Sequence, residues 1–301
     1  MSYYYSANDF YRKTFGKKVI KLALDGGFTC PNRDGTLSKD GCIFCSSRGS
    51  GDFAGNRLFS IDEQIEYMKQ KMSKKWKDGI YMAYFQAFTN TYAPIKKLEE
   101  IFTKACSNKD IKALCIATRP DCIYDETIEL LKKLSEKRYV CIELGLQTSN
   151  EKTAYFINRQ YDNSVFKKCV KKLNEAKIPV TSHIIIGLPN ENINDMANTL
   201  KFAVKCGVSG IKLQMLHIIK ETPLSEIYNK NPFKILSLSE YAEIIVHLIE
   251  LTPSDIVIHR ITGDGPKHLL IAPLWTLNKK NVLNTINRTF KEKNTFQGRL
   301  A

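Results

Sequence analysis

Short apolar, β-branched runs alternate with longer segments of helical periodicity from Val19 to Ile261, and this alternation restricts the chain to a parallel α/β architecture. Val19 to Leu24, Tyr81 to Phe88, Leu114 to Thr118, Tyr139 to Leu146, Val180 to Ile186, Gly210 to Leu216 and Ile256 to Ile261 read as strands. Between them, Ser60 opens a helix with Glu63 as its capping-box partner, running to about Lys75. Pro94 begins a helix that reaches about Cys106, and Asp125 caps ETIELLKKLSEK. Ser164 to Ala176, Asn192 to Cys206 with its stop at Gly207, and Ser239 to Leu251 are the remaining helices. Six or seven strands, each followed by a helix, predict right-handed crossovers on one parallel sheet. With no Pro-, Gly- or Ser-rich linker dividing them, a single β/α barrel, complete or partial, fits better than two domains. The expected division is an N-terminal extension at 1–16, a core barrel at 17–262 and a C-terminal extension at 263–301 that opens on the turn GDGP.

Directly after the first strand lies CPNRDGTLSKDGCIFC, Cys30 to Cys45, which concentrates three of the nine cysteines on one loop. Cys42 and Cys45 form a Cys-x2-Cys hook, and Cys30 precedes it by eleven intervening residues, a segment whose Asn32, Asp34, Gly35 and Gly41 can fold back as a turn. Barrel chemistry sits on the loops leaving the carboxyl ends of the strands, where this loop begins. Three thiolates close a structural zinc site only with a fourth ligand, and all five histidines lie beyond residue 180, leaving Asp34 and Asp40 within the loop. In an iron–sulfur reading the same thiolates hold three irons of a [4Fe–4S] cluster and leave the fourth open. The residues alone leave both open, beside a surface loop with chance cysteines. The glycines of Ser46 to Gly55 lack a Gly-Lys-Ser/Thr ending, so a flexible loop is expected there rather than a phosphate cradle. Cys106, Cys115, Cys122, Cys141, Cys169 and Cys206 fall in helix or strand patterns and read as packing residues, with Cys122 at a strand end as the exception to test. Glu143 lies in an apolar strand and is either a site carboxylate within the barrel or an outward, paired one.

A net charge of +14, from 45 Lys+Arg against 31 Asp+Glu, points to an anionic partner, with a basic proteome background as the bland alternative. A composition of 43% hydrophobic and 25% charged residues without low-complexity tracts excludes a disordered chain. The leader has no apolar signal core, and no run approaches the roughly 20 apolar residues of a membrane span, so a cytoplasmic protein with no membrane partner is expected. An odd number of cysteines in a chain this large argues against a disulfide framework and for a reducing compartment.

With Phe44 between the last two cysteines, the loop resembles that of the radical S-adenosylmethionine (SAM) superfamily. The usual spacing there is C-x3-C-x2-C; the C-x11-C-x2-C of this chain matches one branch, whose members look like GFTCPNRDGT…GCIFC. YFQAFTNTYAP, TRPDC, ELGLQT, IIIGLPNE and TGDGP look like further signatures of that branch, each at a strand end, and the resemblance covers about residues 15–266. It implies a partial (β/α)6-type TIM barrel with N- and C-terminal extensions. It also implies a [4Fe–4S] cluster on Cys30, Cys42 and Cys45, whose open iron is chelated by the SAM amino and carboxylate groups. Gln147 and Arg159 match the Gln after strand four, and the Arg twelve residues on, that contact SAM in relatives. Phe44 is expected near the adenine, and Gly187 is expected to let the strand-five backbone approach it. Ala87-Phe88-Thr89 replaces the relatives' Gly-Gly-Thr, which makes Thr89 and Asn90 candidates for SAM contact, and His183 replaces an acidic residue. Glu143 joins them as the carboxylate of the barrel.

The resemblance implies reductive cleavage of SAM to a 5′-deoxyadenosyl radical, fed by an electron donor such as flavodoxin or ferredoxin. The branch is associated with bacterial tRNA wobble-uridine modification, converting 5-carboxymethylaminomethyl-(2-thio)uridine to 5-aminomethyl-(2-thio)uridine. Lysines at Lys69–Lys77, Lys167–Lys172 and Lys279–Lys293, the last near Trp275, Phe290 and Phe296, suit RNA; solvated helix faces are the plainer reading. A radical SAM enzyme on a porphyrinogen-like small molecule and a non-catalytic zinc-stabilised RNA-binding protein are the rival expectations.

Overall fold

A computed structural model describes residues 2–49 and 51–301. It opens with α1 (Ala7–Phe15), an element beyond those expected from the sequence, fixed by a capping box between Ser6 and Asp9 and ended by Gly16 at φ 70°. The repeated units follow as β1 (Val19–Leu24), α2 (Ile61–Ser73), β2 (Ile80–Phe85), α3 (Ile95–Ser107), β3 (Ile111–Thr118), α4 (Asp125–Ser135), β4 (Tyr139–Gln147), α5 (Glu151–Phe156), α6 (Asn163–Glu175), β5 (Val180–Ile186), α7 (Ile193–Lys205) and β6 (Gly210–Met215). After them come β7 (Ile218–Ile219), α8 (Pro223–Lys230), α9 (Leu238–Glu250), β8 (Val257–Arg260), β9 (Leu270–Ala272) and α10 (Lys279–Glu292).

Seven parallel strands pair in the order β1-β2-β3-β4-β5-β6-β8 and curl into a partial barrel, open between β1 and β8. The period of two in each strand divides the residues. Leu22, Phe85, Leu114, Ile142, Ile184 and Ile211 face outward into one core with Ile65, Phe102, Leu131, Phe166, Leu200 and Ile245 of the helices. Each fully buried side chain of this kind contributes about 1.5–3 kcal/mol. The inner face is mixed: Met82, Tyr84, Ala113, Cys115 and Cys141 pack with Tyr11 of α1, which fills the N-terminal end of the barrel.

Both extensions are tied to this frame. Ile258 N–H donates to Tyr5 O at 2.9 Å, so the leader runs along the free edge of β8. In α10, Val282, Ile286 and Phe290 join the main core beside α9, and Tyr3 stacks on Phe290 at 5.0 Å. Of the three aromatics placed near the last lysine group, Phe290 is fully buried and Trp275 donates its indole N–H to Leu236 O, while Phe296 is exposed. Lys69, Lys172, Lys279 and Lys293 are engaged with Asp110, Asp125, Asp264 and Glu243. Asp125 is the first residue of α4 and not its cap, which is Tyr124. The strand expected to reach Phe88 stops at Phe85, because Phe88 turns the chain with φ 61°. Ser50 of the glycine-rich segment lies outside the described residues; its neighbours form successive tight turns, Gly49 N–H to Ser46 O and Gly51 N–H to Arg48 O.

Candidate active site at the carboxyl end of the barrel

The chain leaves β1 through Asp25, which the side chain of Gln64 grips in both directions: Asp25 N–H donates to Oε1 at 2.9 Å and Nε2 donates to Asp25 O at 2.9 Å. Arg33 and Asp34 N–H groups turn back onto Cys30 O at 2.9 and 3.1 Å. The eleven-residue insert then docks on the α5–α6 connection. Asn158, at φ 56°, donates Nδ2–H to Gly41 O at 2.7 Å and to Ser38 Oγ at 3.2 Å. Asn32 returns the contact, donating to Asn158 O at 2.6 Å. Ile43 bonds both sides, its N–H to Ile157 O at 3.2 Å and its carbonyl to Leu224 N–H at 2.9 Å. The insert is therefore a folded strap, which the spacing of its cysteines alone did not reveal.

Cys30, Cys42 and Cys45 are free and half-buried on this strap. A hydrogen bond with Cys45, helped by the Arg119 charge and by Asn32 and Arg33, brings Cys42 down to about 7 against the pull of burial, and its partner Cys45 is pushed up. Asn32 Nδ2–H lies 3.5 Å from Cys42 Sγ. Among the described residues no three His, Cys, Asp or Glu side chains converge on one ion-sized point. Cationic surroundings, an N–H aimed at sulfur and three thiols on one loop form a donor set that fits an iron–sulfur cluster, which takes thiolates at its corners.

Around the strap stand the other strand-end residues. Thr89 and Asn90 are buried in the loop after β2. Thr89 N–H donates to Thr29 O, next to Cys30, at 3.1 Å, and Asn90 donates to Ala117 O at 2.8 Å, leaving its Oδ1 buried without a partner. Gln147 sits at φ 63° just past a bulge in the β4–β5 register, 3.3 Å from Tyr161 OH. Gly187 has φ 85°, and a Cβ there would meet Leu236 at 3.0 Å. Phe44 packs with Ile43, Ile157, Ile185, Leu188 and Leu216, an apolar patch above β5 and β6.

Two expected contact residues are otherwise occupied. All five N–H groups of Arg159 are used by the protein: Nε on Tyr161 O, Nη1 on Leu146 O and Thr148 O, and Nη2 on Glu151 and Asn163, at 2.7 to 3.2 Å. It is 1% exposed and holds the end of β4, with no donor left for a ligand. Glu143 shares the inner face with Cys141 by plain alternation and is the inward carboxylate of the two expected placements. Its Oε1 accepts from Lys21 at 2.8 Å, and its Oε2 takes Tyr84, Lys212 and His183, each at 2.7 Å. Burial would raise its carboxyl, but Lys21 and Lys212, with His183, hold it well below the ordinary range.

One residue the sequence reading passed over is Arg119 of TRPDC, where attention fell on Cys122. Cys122 is buried and its thiol pushed well up by burial. Arg119 forks onto Asp121 at 3.0 and 2.7 Å, lies 5.0 Å from the Tyr161 ring, and directs its charge at Cys42. Tyr161 in turn carries Arg159 over its ring at 4.5 Å and donates to Gly145 O. An Arg at a strand end, before a Pro that starts a 3-10 turn, was the available signal.

Among the described residues no helix is long and apolar enough to cross a membrane. The Radical SAM superfamily model matches residues 29–203, and the Radical_SAM C-terminal domain model matches residues 208–292. The chain is 46% identical over 296 residues to protein YtqA of Bacillus subtilis (strain 168), covering 98% of this chain and 92% of that protein. It is 36% identical over 281 residues to YhcC of Escherichia coli (strain K12), covering 93% and 90%. Over 184 residues it is 25% identical to the tRNA uridine(34) acetyltransferase of Methanocaldococcus jannaschii, 60% of this chain and 33% of that protein. In fold it is similar to the archaeal Elp3 of Methanocaldococcus infernus, with a TM-score of 0.69 at 17% identity over 93% of this chain and 64% of that one. With a strap of three thiols at the mouth of a partial barrel, and a family match over more than half its length, the chain belongs to the radical SAM superfamily.

Proposed function

We propose that this protein is a tRNA-modifying radical SAM enzyme that converts 5-carboxymethylaminomethyl-(2-thio)uridine at the wobble position to 5-aminomethyl-(2-thio)uridine. The observation that carries the reading is the cysteine strap, held at the barrel mouth of a chain with a net charge of +14. Likeness to a relative named for tRNA uridine(34) supports the substrate. Cys30, Cys42 and Cys45 would hold a [4Fe–4S] cluster. When bound there with SAM, such a cluster would supply the chemistry of reductive SAM cleavage to a 5′-deoxyadenosyl radical.

The chain's own residues bind, orient and exclude water. Asn32 keeps Cys42 aimed by its N–H···S contact, and Arg119 and Arg33 stabilise thiolate charge on the strap. Phe44 offers an apolar face for an adenine, and Gly187, at φ 85°, would bring the strand-five backbone toward it. Thr89, Asn90 and Gln147 supply neutral hydrogen-bonding groups at the rim. Arg159 keeps the carboxyl end of β4 in place and so acts on a ligand only through Gln147 and Tyr161. A tRNA and a reducing donor such as flavodoxin or ferredoxin are the partners this activity requires.

Nucleoside mass spectrometry of tRNA from a deletion strain tests the reading. The 5-carboxymethylaminomethyl forms should accumulate at the wobble position while the aminomethyl forms disappear. Unchanged wobble uridines would overturn it.

A further inference from the structure

The layer around Glu143 holds more positive than negative charge. Lys21 of β1 and Lys212 of β6 both donate to this one carboxylate. His183 adds no charge of either sign, since burial and the neighbouring Lys212 hold it at about 4. Arg260 of β8 adds a third cation whose charge bears on Lys212 and His183. Its own carboxylate, Asp264, is 3.9 Å away and is taken up by Lys279 at 2.9 Å. Burial and the charges of Arg260 and Lys21 bring Lys212 down to about 8 despite its bond to Glu143. Three cations, Lys21, Lys212 and Arg260, thus gather about the one carboxylate of Glu143, with Lys21 and Arg260 partly open to solvent and able to meet a second anion.

Above this layer the inward residues of one wall are small. Inward positions on the β1, β3 and β4 wall are Ala23, Ala117 and Gly145, all partly exposed and too small to fill the barrel. The opposite wall presents His183, Lys212 and Gln214 from β5 and β6. Lys212 Nζ uses two of its three N–H groups, on Tyr84 OH at 3.0 Å and on Glu143 at 2.7 Å, and Lys21 Nζ uses one. At the mouth, the Nε2 of His217, beside Gly263, is buried without a partner. Few free donors and walls of alanine and glycine suit a planar, two-oxygen anion on a narrow arm.

We propose that this layer is a carboxylate subsite in which Lys212 and Lys21 receive the acid end of the substrate. Resting on the reading above, that acid is the carboxymethyl group of the wobble side chain. Lys212 and Lys21 are then substrate-binding residues, and Glu143 with Tyr84 positions them.

The test uses the reconstituted holoenzyme with SAM present. Calorimetry compares the free nucleoside 5-carboxymethylaminomethyluridine with its neutral carboxamide counterpart. A charge-assisted bond of this kind predicts about a tenfold preference for the acid. That preference should fall to less than about threefold in Lys212→Met and persist in Lys212→Arg. Lys21→Met is measured alongside, so that misfolding of one variant, checked by thermal unfolding, leaves a second reading of the same site. A wild type without preference, or folded Lys→Met variants that keep it, would overturn the proposal. SAM affinity is the other arm: if it falls in Lys212→Met by the factor seen for the acid nucleoside, the subsite serves the SAM carboxylate and the proposal is wrong. Preference for the acid together with unaltered wobble uridines in the deletion strain would remove the tRNA reading and leave the subsite standing.

Discussion

Three histidines lie in and around the barrel with folded pKa values well below the ordinary 6.5: His183 and His217 at about 4 and His259 at about 3. Burial is the first cause in each, joined by Lys212 for His183 and by Lys21 for His259. Each is neutral in the fold. As pH falls below about 6.5 the unfolded chain takes up protons that the folded chain refuses, so their contribution is complete above that pH and is lost progressively down to the folded values. Thermal unfolding should therefore show a Tm that falls by several degrees between pH 6.5 and 4, and His259→Gln should reduce that fall. A flat profile over this window would show that the rings are not held neutral. Arg159 makes the complementary point about side chains. Its position twelve residues after Gln147 is legible in the sequence, but the destination of its five N–H groups depends on carbonyls of Leu146, Thr148 and Tyr161 that meet only in the folded chain.

The strands were legible as short apolar, β-branched runs, alternating in β1, and the long helices through their 3.6 period, with a capping box in α2 and α7. The elements that were not legible are short or depend on partners. α5 spans six residues, β7 and β9 pair only with each other, and α10 reads as polar apart from Val282, Leu283, Ile286 and Phe290. The position of the cysteine loop at the end of β1 was also legible, whereas the folded form of its insert was not, because its anchors, Asn158, Ile157 and Leu224, lie more than a hundred residues away. Asn158→Ala removes two side-chain bonds to the strap and places a Cβ-bearing residue with no local hydrogen bond at φ 56°. It should cost about 1–3 kcal/mol. The expected outcome is a modestly lowered Tm with markedly faster loss of iron from the reconstituted protein on dilution. Iron retention equal to wild type would mean that the strap holds its shape without this clamp.

The whole molecule is closed by its two ends, which meet where Tyr3 stacks on Phe290 and Tyr5 N–H donates to Gln297 Oε1 at 2.8 Å. Because α10 contributes Val282, Ile286 and Phe290 to the main core, at about 1.5–3 kcal/mol each, deleting residues 279–301 should abolish the cooperative unfolding transition rather than only weaken RNA binding. A deletion variant with wild-type Tm and reduced tRNA affinity would instead make the segment an RNA-binding appendage. The proposed function requires that the three thiols of the strap hold a catalytic cluster. Anaerobic reconstitution with iron and sulfide, followed by metal and sulfide counts and the visible spectrum, tests it most directly. The account predicts a brown protein with about four irons and four sulfides per chain, lost when Cys30, Cys42 and Cys45 are replaced by alanine, and SAM cleavage to 5′-deoxyadenosine on reduction. A colourless protein that takes up one zinc per chain through the same cysteines would contradict it.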